Sequence, residues 1–99
     1  MFQTYTAKGT ITITPEVDSL DASNAPDAKA FFKDLDLQGC ERAVLNLESV
    51  QFIDSSGIGA ILSFYKHMDQ QLTLKHPTPT VMSVLELLRL HRVFEIESD

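Results

Sequence analysis

The chain has 99 residues, a formal net charge of −6 and a hydrophobic content of 43%. That length predicts one domain spanning residues 1–99, and that apolar share argues against disorder. The acidic balance, with no basic stripe, argues against nucleic acid and favours a basic protein partner, because nucleic-acid binding rests on Lys and Arg neutralising phosphates. One cysteine, Cys40, cannot form an internal disulfide and fits a reducing compartment. Met1 opens no charged-then-apolar leader, and no apolar run reaches membrane-spanning length. The expected location is cytoplasmic, without membrane insertion.

Phe2 to Ala7 alternates aromatic and polar residues and reads as a first strand. Lys8-Gly9 is a turn. Thr10 to Thr14 alternates Ile and Thr, which predicts a second strand with one wet face. Together they predict a hairpin at a sheet edge, ended by Pro15. Val17 and Leu20 read equally as strand residues or loop anchors. From about Ser23 to Leu35 the spacing turns helical, with Ala25, Ala28, Phe32 and Leu35 on one face. Ser23 or Asn24 is the expected cap, Pro26 fits the first turn, and Gly39 is the stop signal.

Ala43 to Leu47 is a short apolar run suited to a central strand covered on both sides. Val50 to Tyr65 begins apolar, passes through Asp54-Ser55-Ser56-Gly57, and continues as a helix to about Gln70. Ile58, Ile61, Leu62 and Tyr65 form its stripe. Leu72 to Lys75 predicts another strand. Thr78 and Pro79 open a helix with Val81, Val84, Leu85 and Leu88 buried, and Phe94 to Glu97 predicts a last strand. The order β-β-α-β-α-β-α-β predicts a mixed, mostly parallel sheet of four to five strands. It would have an N-terminal hairpin, with three helices mainly on one side.

The small residues at 54–59 carry the chemistry. Asp and Ser oxygens suit a helix N-cap, where backbone N–H groups lack partners. Gly57 and Gly59 keep the first turn free of bulk. Such a stretch presents a hydroxyl at the positive end of a helix. His67, His76 and His91 show no i, i+4 pairing, which argues against a metal site. The Ser56 context lacks the G-x-S-x-G elbow of a serine hydrolase, no base is marked for it, and no phosphate-binding G-x-x-x-x-G-K-[ST] loop is present. No catalysis and no cofactor are expected.

F-I-D-S-S-G-I-G-A-I-L closely resembles the core motif of STAS domains of the anti-sigma factor antagonist family. The flanking strand A-V-L-N-L and the strand and Pro-led helix after the motif fit too, so the resemblance covers most of the chain. It implies that Ser56 is a phosphoacceptor and that Asp54 and Ser55 shape its loop. Gly57 and Gly59 would allow close approach, with Ile58 either an apolar contact or part of the core. Leu20-Asp21 matches the Asp that often stands beside the phosphorylation loop. The family usually carries one more C-terminal helix, expected here to be missing or very short.

By the same resemblance, the unphosphorylated chain would bind an anti-sigma factor of the serine-kinase type and release a sigma factor. A serine phosphatase would restore binding after phosphorylation. A phosphate would add roughly −1.5 to −2 charges beside Asp54 and block the interface with little change in the fold. Part of the surface Ser63, Lys66, His67 and Gln70 would flank the footprint. Two competing readings are a STAS accessory subunit of a lipid-transporter ATPase, with no phosphorylation, and an enzyme using Ser56 as nucleophile.

Overall fold

Lys8 and Gly9 close the first hairpin with φ of 53° and 79°. Two successive left-handed residues are what a tight two-residue hairpin loop needs. They join β1 (Phe2–Ala7) to β2 (Thr10–Pro15) in antiparallel register, Ala7 opposite Thr10 and Phe2 opposite Pro15. The computed structural model describes residues 1–98.

Downstream, β3 (Ser19–Leu20) precedes helix α1 (Ala25–Asp34). Next come β4 (Arg42–Asn46), β5 (Phe52–Ile53) and helix α2 (Ser55–His67). The chain continues through β6 (Leu72–Lys75), helix α3 (Pro79–Leu87), a 3₁₀ turn at Leu90–Arg92 and β7 (Glu95–Glu97). The main sheet has five strands in the order β1-β2-β4-β6-β7, and every pair after the hairpin is parallel. The expected sheet, hairpin and three helices are all present. Sequence spacing did not foresee the second, two-stranded sheet, β3 beside β5.

The register sorts the strand residues onto two faces. Ile11, Ala43 and Leu72 lie in one row, and Ile13, Leu45 and Leu74 in the next; all six are buried. The helices bury their stripes over this face: Ala25, Ala28 and Phe32 from α1, Ile58, Ile61 and Phe64 from α2, and Val81 and Leu85 from α3. The opposite face carries Thr12, Val44 and Thr73 in register and is only partly shielded. Central β4 is therefore covered fully on one side only, unlike its expected double cover. A run of aromatic rings ties the hairpin to both helices. Phe2 stacks on Phe31 at 4.4 Å, and Phe32 stacks on Phe64 at 4.5 Å. Stacked and edge contacts of this kind add to the area that each ring buries.

Local chemistry sets the helix ends. The Thr78 hydroxyl accepts from Val81 N–H at 3.3 Å and donates to the Val50 carbonyl at 3.1 Å. It thereby caps α3 and fastens that helix to the chain entering α2. Helix α2 stops at His67, three residues earlier than its pattern predicts, because Asp69 and Gln70 turn out of it with φ of 54° and 69°. Among the described residues no helix is long and apolar enough to cross a membrane.

Candidate functional site

The two-stranded sheet builds the site. Parallel pairing sets Ser19 opposite Phe52 and Leu20 opposite Ile53. Asp21 and Asp54 each follow the second residue of their strand, so they leave the sheet side by side. Leu20 and Ile53 are buried beneath them and anchor both loops in the core.

Asp54 is the N-cap of α2. One carboxylate oxygen, Oδ1, accepts from Gly57 N–H at 3.0 Å, as an N-cap should. The other, Oδ2, accepts from Ala22 N–H at 3.2 Å in the neighbouring loop. Its own N–H donates to the Leu20 carbonyl at 3.1 Å. One residue thus starts the helix and clamps the Asp21 loop to it.

Asp21 organises the second loop. Its carboxylate accepts from the Ser19 hydroxyl at 2.8 Å, from Ser23 N–H at 2.9 Å and from the Ser23 hydroxyl. The two serine hydroxyls, Ser23 first and Ser19 second, with the Ser23 N–H, hold its carboxyl below the usual carboxylate value, against the opposing effect of desolvation. Its carbonyl accepts from the N–H groups of Asn24 and Ala25 at the start of α1. Asn24 occupies the cap position of α1 but makes no side-chain cap bond. Instead its side chain accepts from Asp21 N–H and donates to the Ser19 carbonyl, both within the loop.

Ser55 and Ser56 are the first two residues of α2. Ser55 is exposed and Ser56 half-buried. Both line an open cleft of about 460 Å³ whose opposite wall is Ala22, Ala25, Pro26 and Lys29. Neither hydroxyl hydrogen-bonds another group among the described residues. Of Asp54 and Ser55, both suited to a cap, Asp54 takes the role.

The two glycines differ in kind. A Cβ on Gly57 would sit 2.2 Å from the Leu20 carbonyl oxygen, so glycine lets α2 seat against β3. Around a Cβ on Gly59 there is nothing within 4 Å, and Gly59 lines the cleft beside Ser56. Ile58, open between contact and core in the sequence, lies in the core at 5% exposure. Phe52 does the reverse. Its side chain is 49% exposed, next to the Asp54 loop, although its apolar neighbours suggest burial. Sequence reasoning missed it, together with Lys29 across the cleft.

The structural neighbours share this arrangement of elements. A curated relative, the anti-sigma F factor antagonist of Paenibacillus polymyxa, is 37% identical over 60 residues, which cover 58% of this chain and 51% of the relative. The match thus spans about half the length of that relative. A Thermotoga maritima protein described as an anti-sigma factor antagonist superposes with a TM-score of 0.85 at 25% identity, covering 99% of this chain and 86% of that one. SpoIIAA, described as a Bacillus cell fate determinant, has been solved in its phosphorylated form. It shares the fold with a TM-score of 0.70 at 23% identity, covering 100% of this chain and 93% of its own. The STAS domain family model matches residues 2–99. Matched from residue 2 to residue 99, this chain belongs to the STAS domain family.

Proposed function

We propose that this chain is an anti-sigma factor antagonist whose docking surface centres on Ser56, and that phosphorylation of Ser56 ends the interaction. One observation carries the reading. The Ser56 hydroxyl lines an open cleft with no protein partner, on a frame fixed by the Asp21 and Asp54 hydrogen bonds. The partner is an anti-sigma factor that is itself a serine kinase, and a serine phosphatase reverses the modification. Names of the relatives support the class, and the motif F-I-D-S-S-G supports the position.

The physical logic is local. A phosphoserine carries about −1.5 to −2 charges at neutral pH. At the first turn of α2 that charge meets unpaired N–H groups and the favourable end of the helix dipole. The domain accommodates it, whereas a surface fitted to a small neutral hydroxyl rejects it. Asp54 adds like-charge repulsion from close by.

A catalytic role for Ser56 has less support. Both Asp54 carboxylate oxygens are engaged by backbone N–H groups, and no histidine hydrogen-bonds Ser56. A serine nucleophile needs an adjacent base.

The test compares the parent chain, Ser56→Ala and Ser56→Asp for binding to a purified kinase-type anti-sigma factor from the same cells. Parent and Ala forms are expected to bind alike and the Asp form to lose binding. Mass spectrometry after incubation with the kinase and ATP should place one phosphate on Ser56 and none on the Ala form. Equal binding by the Ala and Asp forms, or phosphate on Ser55 instead, would refute the reading.

A further inference from the structure

We propose that the groove between α1 and α2 binds an acidic, amphipathic helical segment of a protein partner. The groove encloses about 560 Å³. Its accessible lining is mostly apolar; the stacked rings of Phe32 and Phe64 lie beneath it and are themselves buried, at 3% and 1% exposure. Lys29 and Lys33 rim it from α1, and Lys66 and His67 from α2. Three of the chain's five lysines therefore meet in one place on a molecule whose net charge is −6. Among the described residues no carboxylate lines the groove. The Asp27 and Asp34 side chains of α1 are exposed elsewhere on that helix.

Chance does not favour this grouping. Like charges at Lys29 and Lys33, four apart on one helix, are mildly destabilising. An acidic chain has ample carboxylates to interleave, and α1 places its own outside the groove. A mostly apolar lining between cationic rims complements a helix with an apolar stripe and acidic flanks. The lining runs from Lys29 to Lys33 on α1 and from Ala60 to His67 on α2, so the groove is about 6–10 Å long at 1.5 Å per residue and takes roughly two turns of a helix.

Lys29 also lines the Ser56 cleft, so groove and cleft are neighbours that share this residue. Overall charge favours a basic partner, yet this groove requires one acidic segment within it. The assignment of that segment to the anti-sigma factor rests on the function proposed above; the groove's chemistry does not. A phosphate on Ser56 would enter the cleft that shares Lys29 with the groove, and would repel the acidic segment as well as the surface over the loop.

The probe is a synthetic helical peptide as long as α1, with Leu at i, i+3, i+4 and i+7 and Glu at the flanks. The peptide is titrated into the isotope-labelled full chain and followed by amide shifts. Expected shifts map to residues 25–34 and 59–67, and raising the salt from about 0.05 to 0.5 M weakens binding about tenfold. The same peptide with Lys for Glu should not bind. Lys29→Glu with Lys66→Glu should weaken binding by about tenfold or more. The milder Lys29→Gln with Lys66→Gln serves if reversal perturbs folding. Equal binding of the acidic and basic peptides overturns the proposal, as does undiminished binding by a folded variant. Tighter binding of an RNA of equal charge at the same residues also overturns it. A working groove beside equal anti-sigma factor binding by Ser56→Ala and Ser56→Asp would remove the phosphorylation switch alone, and a working switch with no peptide binding would remove the groove alone.

Discussion

The carbonyl oxygen of Leu20 lies 2.2 Å from where a Cβ on Gly57 would stand. No side chain separates α2 from β3 at that point, and the obstructing atoms are backbone. Gly57→Ala must therefore push the helix and the Asp21 loop apart. The expected cost is about 1–3 kcal/mol or somewhat more, read as a drop in the midpoint of urea unfolding. Gly59→Ala is the control. Its Cβ meets nothing within 4 Å, so stability should hold or rise by up to about 1 kcal/mol from helix propensity. It should nevertheless weaken docking over Ser56.

Asp54 joins the Gly57 and Ala22 N–H groups through one carboxylate. Asp54→Ala removes the cap, at a cost of about 1–2 kcal/mol. It also frees the neighbouring loop. Faster hydrogen exchange at Ala22 as well as at Gly57 is the expected signature. Exchange that quickens at Gly57 alone would mean that the Ala22 loop is held by other bonds.

Asp21 gives the chain an acid-sensitive element. Its folded pKa is lowered by the two serine hydroxyls and the Ser23 N–H. A depressed carboxylate contributes stability above its unfolded pKa and loses that contribution as pH falls through the folded value. Asp21→Asn should be less stable than the parent from neutral pH down to about pH 4. Below that the two unfolding curves should converge. Calorimetry across pH 2–7 checks this, and a gap that persists undiminished at the lowest pH would contradict it.

Phe52 is 49% exposed beside the Asp54 loop. Phe52→Ser removes an exposed ring and leaves buried Ile53 in place, so stability should change by less than about 1 kcal/mol. Binding to the proposed anti-sigma partner should nonetheless weaken, since exposed aromatic rings within a docking surface commonly act as anchors. Unchanged affinity would place the footprint elsewhere.

Much of this architecture was readable in residue patterns. Thr10 to Thr14 alternates strictly, and Lys8-Gly9 announces its turn. Pro79 and the Val81, Val84, Leu85, Leu88 spacing mark α3, although Leu88, at the helix's C-cap, is 49% exposed rather than buried. What escaped was short or non-local. The strands Ser19–Leu20 and Phe52–Ile53 have two residues each, too few to show a period. Phe52 sits in an apolar run, and only the placement of the paired strands turns it outward. Gly57 was read as clearance for a visitor, but its need arises inside the chain, from a carbonyl distant in sequence. Lys29 belongs to the cleft because α1 and α2 pack together, a fact that no local pattern carries.

The pairing of Ser19–Leu20 with Phe52–Ile53 has a kinetic meaning. Ordering a loop residue costs about 1–2 kcal/mol of backbone entropy, and here the loops are ordered when the chain folds. A visiting protein meets a finished template and need not wait for it to assemble. Encounter should then be limited by diffusion and charge, and dissociation should be free to stay fast. Such a surface would suit the switch proposed for Ser56, in which one modified oxygen ends an encounter.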